Sequence, residues 1–360
     1  MLAPQVTAIR EPQSGGSQAM VADLSRGLAV RGHEVHVYAA RGSELPGVDL
    51  IDTGADPEQL APALLHPGRP RRTSDELVQA YTQAYRSIGA GNYDVVHNHG
   101  FDAAAIALAQ GLAVPVVHTL HLPPEESVAL ALAQAQRVEP RPVTVVVSQS
   151  QARAWARVAT VDAVISNGVP TARIRPSLVE GNGALWAGRL SAEKGALQAI
   201  EIAARARMPL TLCGGAYDLE YAAEVQRQAQ ARSSVRLSPP LPREQLWQLM
   251  GEAAVVVCPF TWEEPFGLVA AESQACGTPV VAYRQGALPE VVLDGVTGVL
   301  VDPGAIDAAA AALGTAQTLA RRACRRHAED NLDLERCIDA YEALYRRLTE
   351  QRGGRTRGAA

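Results

Sequence analysis

Two glutamates in this sequence flank a turn that is suited to binding a phosphate. Glu264 and Glu272 lie eight positions apart, and Pro265 and Gly267 between them indicate a loop that turns into a helix. The first N–H groups of such a helix belong to Gly267, Leu268 and Val269. They form an anion site, and carboxylates on either side accept hydrogen bonds from hydroxyls. This arrangement suits a nucleoside diphosphate sugar. Alternatively, Glu264 only complements the helix dipole and Glu272 lies on a solvated helix face.

A single lysine stands in the stretch "GRLSAEKG", residues 188–195. Lys194 is the only lysine among the 33 Lys and Arg residues of the chain. Lysine carries a compact ammonium with three rotatable donors, whereas arginine carries a planar fork, and a phosphate held in a tight corner can require the former. Lys194 is therefore a candidate phosphate ligand. The alternative is a solvated lysine that was retained by chance.

The composition is that of an ordinary globular protein with room for two domains. The chain has 360 residues, 47% of them hydrophobic and 20% charged, and a net charge of -5. A mildly acidic chain gives no support for nucleic-acid binding, which usually needs a basic face. Arg69, Arg71 and Arg72 form a basic cluster, which is either a solvated loop or a face for an anionic acceptor or a lipid surface.

The cysteine pattern and the lack of targeting signals predict a cytoplasmic protein. Five cysteines are scattered over the second half without a CxxC pair, which favours buried reduced thiols over disulfides. The N-terminus lacks a signal-peptide pattern, and no apolar stretch reaches the ~20 residues of a membrane span. Four of the eight histidines lie between 97 and 121, but no Cys or Glu stands at zinc-ligand spacing, so we predict no metal site.

Short β-branched runs alternate with Ala-rich helical stretches along the chain, which predicts parallel strands joined by helices. The strand candidates are 34–39, 93–98, 114–120, 143–148, 162–166, 183–188, 209–214, 234–238, 254–259, 279–283 and 297–301. Gly, Pro and Asn cluster at 169–182, which we interpret as a linker. The fold class is α/β, with two doubly wound Rossmann-like domains facing across a cleft, an acceptor-side domain over 1–168 and a donor-binding domain over 183–333. We expect the helix over 334–350 to pack back on the first domain, and 351–360 to be a flexible tail.

The segment around the two glutamates resembles the donor-site signature of the family 4 retaining glycosyltransferases, which have the GT-B fold. The match covers "EPFGLV", the second Glu and the "CGTPVVA" and "LPEVV" stretches that follow. "GRLSAEKG" resembles the family's diphosphate-binding motif, and the similarity extends over most of the chain. Three shorter stretches also match: "SNGV" (166–169), the glycine-rich loop and first helix at 14–35, and "TLHLPP" (119–124).

The resemblance implies roles for individual residues. Arg189 and Lys194 would neutralise the two phosphates and stabilise charge on the leaving group, Glu264 would bind hydroxyls of the transferred sugar, and Glu272 would bind the ribose. Its implied donor-binding set comprises Gly15, Gly16, Arg189, Lys194, Glu264, Phe266, Gly267, Leu268, Val269 and Glu272. The implied catalytic set comprises His121, Arg189, Lys194 and Glu264. Gly15 and Gly16 would bring the backbone close to the phosphate. Alternatively, they form only a flexible turn. His121 lines the sugar subsite, and His99 lines the acceptor side or is structural.

The resemblance also implies the reaction: retaining transfer of a hexose from a nucleotide diphosphate sugar, by default a UDP-glucose-like donor, to an unidentified small-molecule, glycan or lipid acceptor. No carboxylate stands where a covalent nucleophile would, because Leu122, Pro123 and Pro124 follow "TLH" and Glu125 and Glu126 fall in the next helix. A front-face route without metal or cofactor fits better. Peripheral membrane contact is left open, as is the choice between a monomer and a homodimer. The rivals are a GT-B epimerase and a non-catalytic nucleotide-sugar-binding protein, each sharing the diphosphate site.

One departure from the family pattern concerns the first strand. Relatives open with a full strand before the glycines, whereas "MLAP" begins where such a strand would already be ending, unless 5–9 serves instead. The placement of Gly15 and Gly16 depends on this strand.

Overall fold

The computed structural model describes residues 1–58, 60 and 75–358, with side chains as far as Gln351. The basic cluster at Arg69, Arg71 and Arg72 lies outside the described residues. The described residues divide into two compact units. The first comprises the described parts of Met1–Arg10, Gly15–Ser166 and Glu335–Ala360, and the second comprises Glu11–Ser14 and Asn167–Leu334. In the part of the chain that is described, no helix combines the length and the apolar character needed to cross a bilayer.

The first unit is built on parallel strands. They are His36–Ala39 (β1), Asp49–Asp52 (β2), Val96–Asn98 (β3), Val116–Leu120 (β4), Val143–Val146 (β5) and Ala163–Val164 (β6). β1 pairs with β2, and β3 to β6 pair in chain order, all in parallel. Five of these strands fall inside predicted ranges. β2 was missed, because its residues are mostly exposed and carry two aspartates, which are uncommon in strands.

The chain start supplies the central position of this sheet. Leu2 forms parallel bridges to both Tyr38 of β1 and Asn98 of β3. Its N–H donates to the carbonyl oxygen of His97, and its C=O accepts from the N–H of His99, at 2.8 Å each. The short stretch at 1–3 therefore connects the two sets of strands. The alternative that residues 5–9 form the first strand is wrong, because they form turns and loop.

Helices cover the sheet of the first unit. They span Gly16–Val30, Asp75–Ala90, Ala103–Ala107, Glu126–Ala135 and Gln149–Trp155, and a last helix spans Leu334–Gly358, beyond the predicted end at 350. The last helix packs on the first: a Cβ at Gly27 would overlap the side chain of Ile338, so the two helices approach at a glycine. Arg31 at the end of the first helix pairs with Glu335, Asp339 and Glu342 of the last at 2.6–2.9 Å.

The second unit contains a six-stranded parallel sheet. Its strands are Ala184–Ala187 (β7), Leu210–Cys213 (β8), Val235–Ser238 (β9), Val255–Cys258 (β10), Val280–Tyr283 (β11) and Gly298–Val301 (β12). They are ordered β12-β11-β10-β7-β8-β9, so the direction of winding reverses between β7 and β10. The predicted α/β class with two Rossmann-like sheets is confirmed. Ligands in such sheets bind outside the carboxyl ends of the strands at this reversal.

Helices connect the strands of the second unit and pack against its sheet. They span Ala196–Ala206, Leu219–Gln230, Arg243–Glu252, Leu268–Ala275, Leu288–Val291, Ile306–Ala316 and Arg321–Asn331. The core between Ala196–Ala206, Ile306–Ala316 and the sheet is made mostly of Ala, Val, Leu and Ile side chains around Trp186. All five cysteines are free and buried, as the sequence predicted.

Candidate active site

The loops after β7 and β10 carry most of the predicted site residues of the second unit. β7 ends at Ala187 and is followed by Gly188 to Lys194, whereas β10 ends at Cys258 and is followed by Pro259 to Gly267. These two strands are direct neighbours, with Val255 opposite Ala184. Their loops therefore emerge side by side at the point where the strand order reverses, which is where a ligand is expected.

A glycine after Lys194 brings the two loops together. Lys194 ends a short 3₁₀ turn, and Gly195 then adopts a left-handed conformation with φ 69° before the helix Ala196–Ala206 begins. A Cβ at Gly195 would overlap the carbonyl oxygen of Pro259. Only glycine combines this backbone conformation with such a close approach. The glycine of "EKG" thus sets how near the lysine lies to the loop after β10.

Lys194 forms an ion pair with Glu264. Its Nζ lies 2.6 Å from Glu264 Oε2, and the two side chains are only 15% and 11% exposed. The indole Nε1 of Trp262 donates to the same oxygen at 2.7 Å. The alternative of a solvated lysine is thereby excluded. Two donors converge on one carboxylate oxygen, so both the ammonium and the carboxylate are held in defined positions.

Aromatic rings surround the lysine. Lys194 Nζ lies 4.8 Å from the ring centroid of Phe260 and 4.7 Å from that of Trp262, within cation–π distance. The indole of Trp186 donates to the backbone oxygen of Lys194 at 2.8 Å. Sequence reasoning missed all three rings. A usable signal was the position of two aromatics directly after a buried strand and just before Glu264, in a chain that is 4% aromatic.

The turn predicted between the two glutamates is present. Gly267 has φ 97° and precedes the helix Leu268–Ala275, so the first N–H groups of this helix belong to the residues that the sequence predicted. Phe266 before it is buried at 5% exposure. The backbone of Glu264 is fixed from the other side, because Ala287 N donates to its carbonyl oxygen at 2.9 Å.

Arg189 lies on the β7 side of the site. Its guanidinium carbon is 4.2 Å from the ring centroid of Tyr217, and its Nη2 is 3.6 Å from Glu193 Oε1. Ser191 Oγ in turn donates to Glu193 at 2.6 Å. The side chain is 33% exposed, so the guanidinium is accessible to a ligand.

Glu272 lies in the second turn of the helix Leu268–Ala275 and is 5% exposed. This burial excludes the alternative of a solvated helix face. Arg243 donates to its Oε1 from Nη2 at 2.9 Å and from Nε at 3.2 Å. Sequence reasoning missed Arg243, because one arginine among many in "LPREQL" carries no distinguishing pattern.

Histidines cluster in the first unit after β3 and β4. His99 Nδ1 and His121 Nε2 lie 2.9 Å apart, so one ring donates to the other. Both are buried. Burial lowers the pKa of His121 to about 4 and holds the pKa of His99 well below its ordinary value, so both rings are neutral at neutral pH. His118 is packed in β4, where its Nδ1 accepts from Asn98 Nδ2 at 2.9 Å.

The remaining network links β3 and β4 to the last helix. His97 contacts Tyr345 OH at 2.5 Å and Thr119 Oγ1 at 2.7 Å, and Thr119 lies 2.9 Å from Tyr341 OH. Among the residues that the structure describes, no group of three or more His, Cys, Asp or Glu side chains is arranged to hold a metal ion.

The glycine-rich turn also lies in the first unit. Gly16 begins the helix Gly16–Val30, and Gly15 before it has an extended backbone with φ -169° that any residue can adopt. A Cβ at Gly15 would lie 2.8 Å from Gln18 Oε1, the end of a flexible side chain. The conformation alone therefore does not require glycine at position 15.

Comparison with known proteins identifies the family. The sequence model described as "Glycosyltransferase Family 4" matches residues 14–173, and "Glycosyl transferases group 1" matches 174–329. A D-inositol 3-phosphate glycosyltransferase of Acidothermus cellulolyticus is 30% identical over 340 residues, which are 80% of this chain and 75% of the relative. The chain belongs to the family 4 glycosyltransferases, and it is an enzyme of that class.

Solved structures agree in fold. Sucrose-phosphate synthase of Thermosynechococcus elongatus superposes with a TM-score of 0.80 at 21% identity, covering 97% of this chain and 98% of that one. Anabaena HepE in complex with UDP-glucose superposes with a TM-score of 0.73 at 22% identity, covering 95% of this chain and 98% of that one. The chain therefore has the GT-B fold.

Proposed function

We propose that this glycosyltransferase moves a hexose from a UDP-sugar to a hydroxyl of a small polar acceptor, with retention at the anomeric carbon. The observation that carries the proposal is the cluster of Lys194, Trp262 and Glu264 at the reversal of strand order. An ammonium, a carboxylate and a helix N-terminus in adjoining loops are the groups that a sugar bound to a diphosphate needs.

In this proposal the donor takes over contacts that the protein makes internally. Lys194, paired with Glu264 in the structure, turns part of its donor capacity to the diphosphate, and Arg189 supplies a second cation. Glu264 then accepts from sugar hydroxyls and Glu272 from the ribose. Charge on the departing UDP is stabilised by groups already in place, and such electrostatic stabilisation is usually the largest single contribution to catalysis.

The proposed chemistry is a front-face displacement. The acceptor oxygen bonds to the anomeric carbon while the bond from that carbon to the diphosphate oxygen breaks, and the acceptor proton passes to the departing phosphate. A covalent intermediate would need a carboxylate at the sugar. Glu125 after the His121 segment is committed elsewhere: it caps the helix Glu126–Ala135 by accepting from Val128 N at 3.2 Å. This supports the front-face route.

The proposed substrates follow from the names of similar proteins. HepE is described in complex with UDP-glucose, which makes UDP-glucose the first donor to test. The Acidothermus relative is named for D-inositol 3-phosphate, so phosphorylated polyols are the first acceptor class to test. We propose both for this chain.

The test is a product assay with and without acceptor. Purified protein is incubated with UDP-glucose and a set of phosphorylated polyols, and products are identified by mass spectrometry and their anomeric configuration by NMR. We expect UDP and an α-configured glycoside to appear together. Interconversion of the donor sugar without any acceptor would point instead to an epimerase. Binding of UDP-glucose with neither reaction, across the donor and acceptor set, would point to a non-catalytic binding protein.

A further inference from the structure

Arg243 occupies a position that neither the motifs nor the proposed chemistry uses. Its guanidinium donates from two nitrogens, Nε and Nη2, to one oxygen of Glu272, at 3.2 and 2.9 Å. Both side chains are buried, at 9% and 7% exposure. The two residues lie on different helices and are 29 positions apart. A buried charge pair with two hydrogen bonds has a fixed geometry, because each partner would otherwise be left without a counter-charge.

Other groups hold Arg243 itself in place. Its guanidinium carbon lies 4.9 Å from the ring centroid of Trp247, one helical turn further along. Its backbone N–H, at the first position of the helix Arg243–Glu252, donates to Glu11 Oε2 at 3.0 Å. The guanidinium therefore reaches Glu272 from a rigid base rather than as a flexible surface side chain.

The two oxygens of the Glu272 carboxylate have different roles. Both arginine nitrogens use Oε1, so Oε2 keeps its acceptor capacity for a ligand. Because hydrogen bonds fix one oxygen of the carboxylate, the other oxygen points in a defined direction. Recognition of hydroxyls on a small ring requires such a fixed direction.

We propose that Arg243 is the positioning residue for ribose recognition: it orients Glu272 and supplies its counter-charge, and so sets the preference for a ribonucleotide over its deoxy analogue. This inference rests on the proposed function in one respect, the assignment of the ribose to Glu272. Arg243 acts through Glu272 and needs no contact with the nucleotide.

The test compares the affinities of each protein for UDP and for 2′,3′-dideoxy-UDP by calorimetry. The ratio of the two dissociation constants isolates the ribose hydroxyls, because a general loss of stability or of phosphate binding affects both ligands alike. We expect wild type to prefer UDP by about 10-fold or more, as for a charge-assisted hydrogen bond. Glu272→Gln should reduce the preference at least fivefold, and Arg243→Gln should reduce it to a similar extent.

Two further variants complete the design. Arg243→Lys keeps the charge but not the two-nitrogen contact, and it should restore part of the preference. Arg173→Gln is the matched control, because Arg173 also lies over the Trp247 ring, at 5.6 Å, but pairs with the exposed Glu244. The preference of this variant for UDP over the dideoxy analogue should equal that of wild type. Circular dichroism verifies that each variant is folded at the titration temperature.

The outcomes separate the two proposals. A wild-type protein that binds both nucleotides equally, or a Glu272→Gln variant with the full preference, overturns the ribose assignment and the inference with it. The inference alone is overturned if wild type prefers UDP, Glu272→Gln lowers this preference, and both Arg243 variants keep it in full. A preference that falls in Arg243→Gln and not in Arg173→Gln supports it.

Discussion

Lys194 and Glu264, 70 positions apart in the chain, form a 2.6 Å ion pair. In the proposed function the cation binds the phosphates and the carboxylate binds the sugar, so this ion pair joins the two groups that would hold the two parts of the donor. Because the two side chains are paired, neither charge is left uncompensated in this partly buried place. We expect donor binding to replace part of this contact by one between the ammonium and a phosphate oxygen.

Replacing Lys194 by arginine conserves the charge but should reduce turnover. The ammonium lies between two rings and against one carboxylate oxygen, a space suited to a compact donor rather than a planar fork. We expect kcat/KM to fall about 10- to 100-fold, the worth of one charge-assisted hydrogen bond of ~1.5–3 kcal/mol. Steady-state release of UDP is the measurement.

The matched control for this exchange is Arg205→Lys. Arg205 pairs with Glu201 and Asp307 on the surface and should tolerate the swap with unchanged kinetics. Wild-type kinetics for Lys194→Arg would mean that the single lysine of the chain has no special function.

Removing the charge of Glu264 should lower the turnover of UDP-glucose and raise the affinity for UDP alone. In Glu264→Gln, Lys194 loses its counter-ion and is left more strongly attracted to phosphate, so the affinity for UDP alone should rise. Turnover of UDP-glucose should fall at least 100-fold, because the sugar hydroxyls lose a charged hydrogen-bond acceptor. Glu263→Gln, which removes the exposed neighbouring carboxylate, should change neither quantity. Parallel losses of UDP affinity and turnover in Glu264→Gln would contradict this account.

Trp262 should matter through both its N–H and its ring. Trp262→Phe keeps a ring near Lys194 but removes the hydrogen bond to Glu264, which is worth ~1.5–3 kcal/mol when the acceptor is charged. We expect kcat/KM to fall about 10-fold in Trp262→Phe and further in Trp262→Leu, which also lacks the cation–π contact. Equal activities of the two variants would show that the ring contributes nothing to catalysis.

The buried histidines should make the protein less stable in mild acid. Burial lowers the pKa of His118 and His121 to about 4, below the ordinary 6.5, so between these values the unfolded chain binds more protons than the folded one. Stability present above pH 6.5 is therefore lost as the pH falls toward 4, by about 2 kcal/mol per histidine between pH 7 and pH 5.

Urea unfolding of wild type and His118→Gln at both pH values measures this loss. The variant should lose about 2 kcal/mol less than wild type between pH 7 and pH 5, because one titrating group is gone. An identical pH dependence in the two proteins would mean that His118 is not the buried neutral group that the structure places in β4.

Among the residues that the structure describes, local patterns were enough to predict every strand except β2, and also the loops that carry Lys194 and Glu264. Buried parallel strands are continuous apolar runs, and glycines mark their loops. β2 was missed because an exposed edge strand lacks that pattern. The pairing of Arg243 with Glu272 depends on how two helices pack, which no local spacing encodes. The same holds for Leu2, whose strand partners lie 36 and 96 positions away.

A crystal structure with UDP bound would show directly whether Lys194 and the neighbouring helix N-terminus hold the diphosphate. We expect the diphosphate to lie against Lys194 Nζ, Arg189 and the N-terminus of the helix Leu268–Ala275, with the ribose hydroxyls on Glu272. A UDP molecule bound elsewhere, with the 2.6 Å pair of Lys194 and Glu264 intact and no phosphate oxygen in contact with the ammonium, would contradict it.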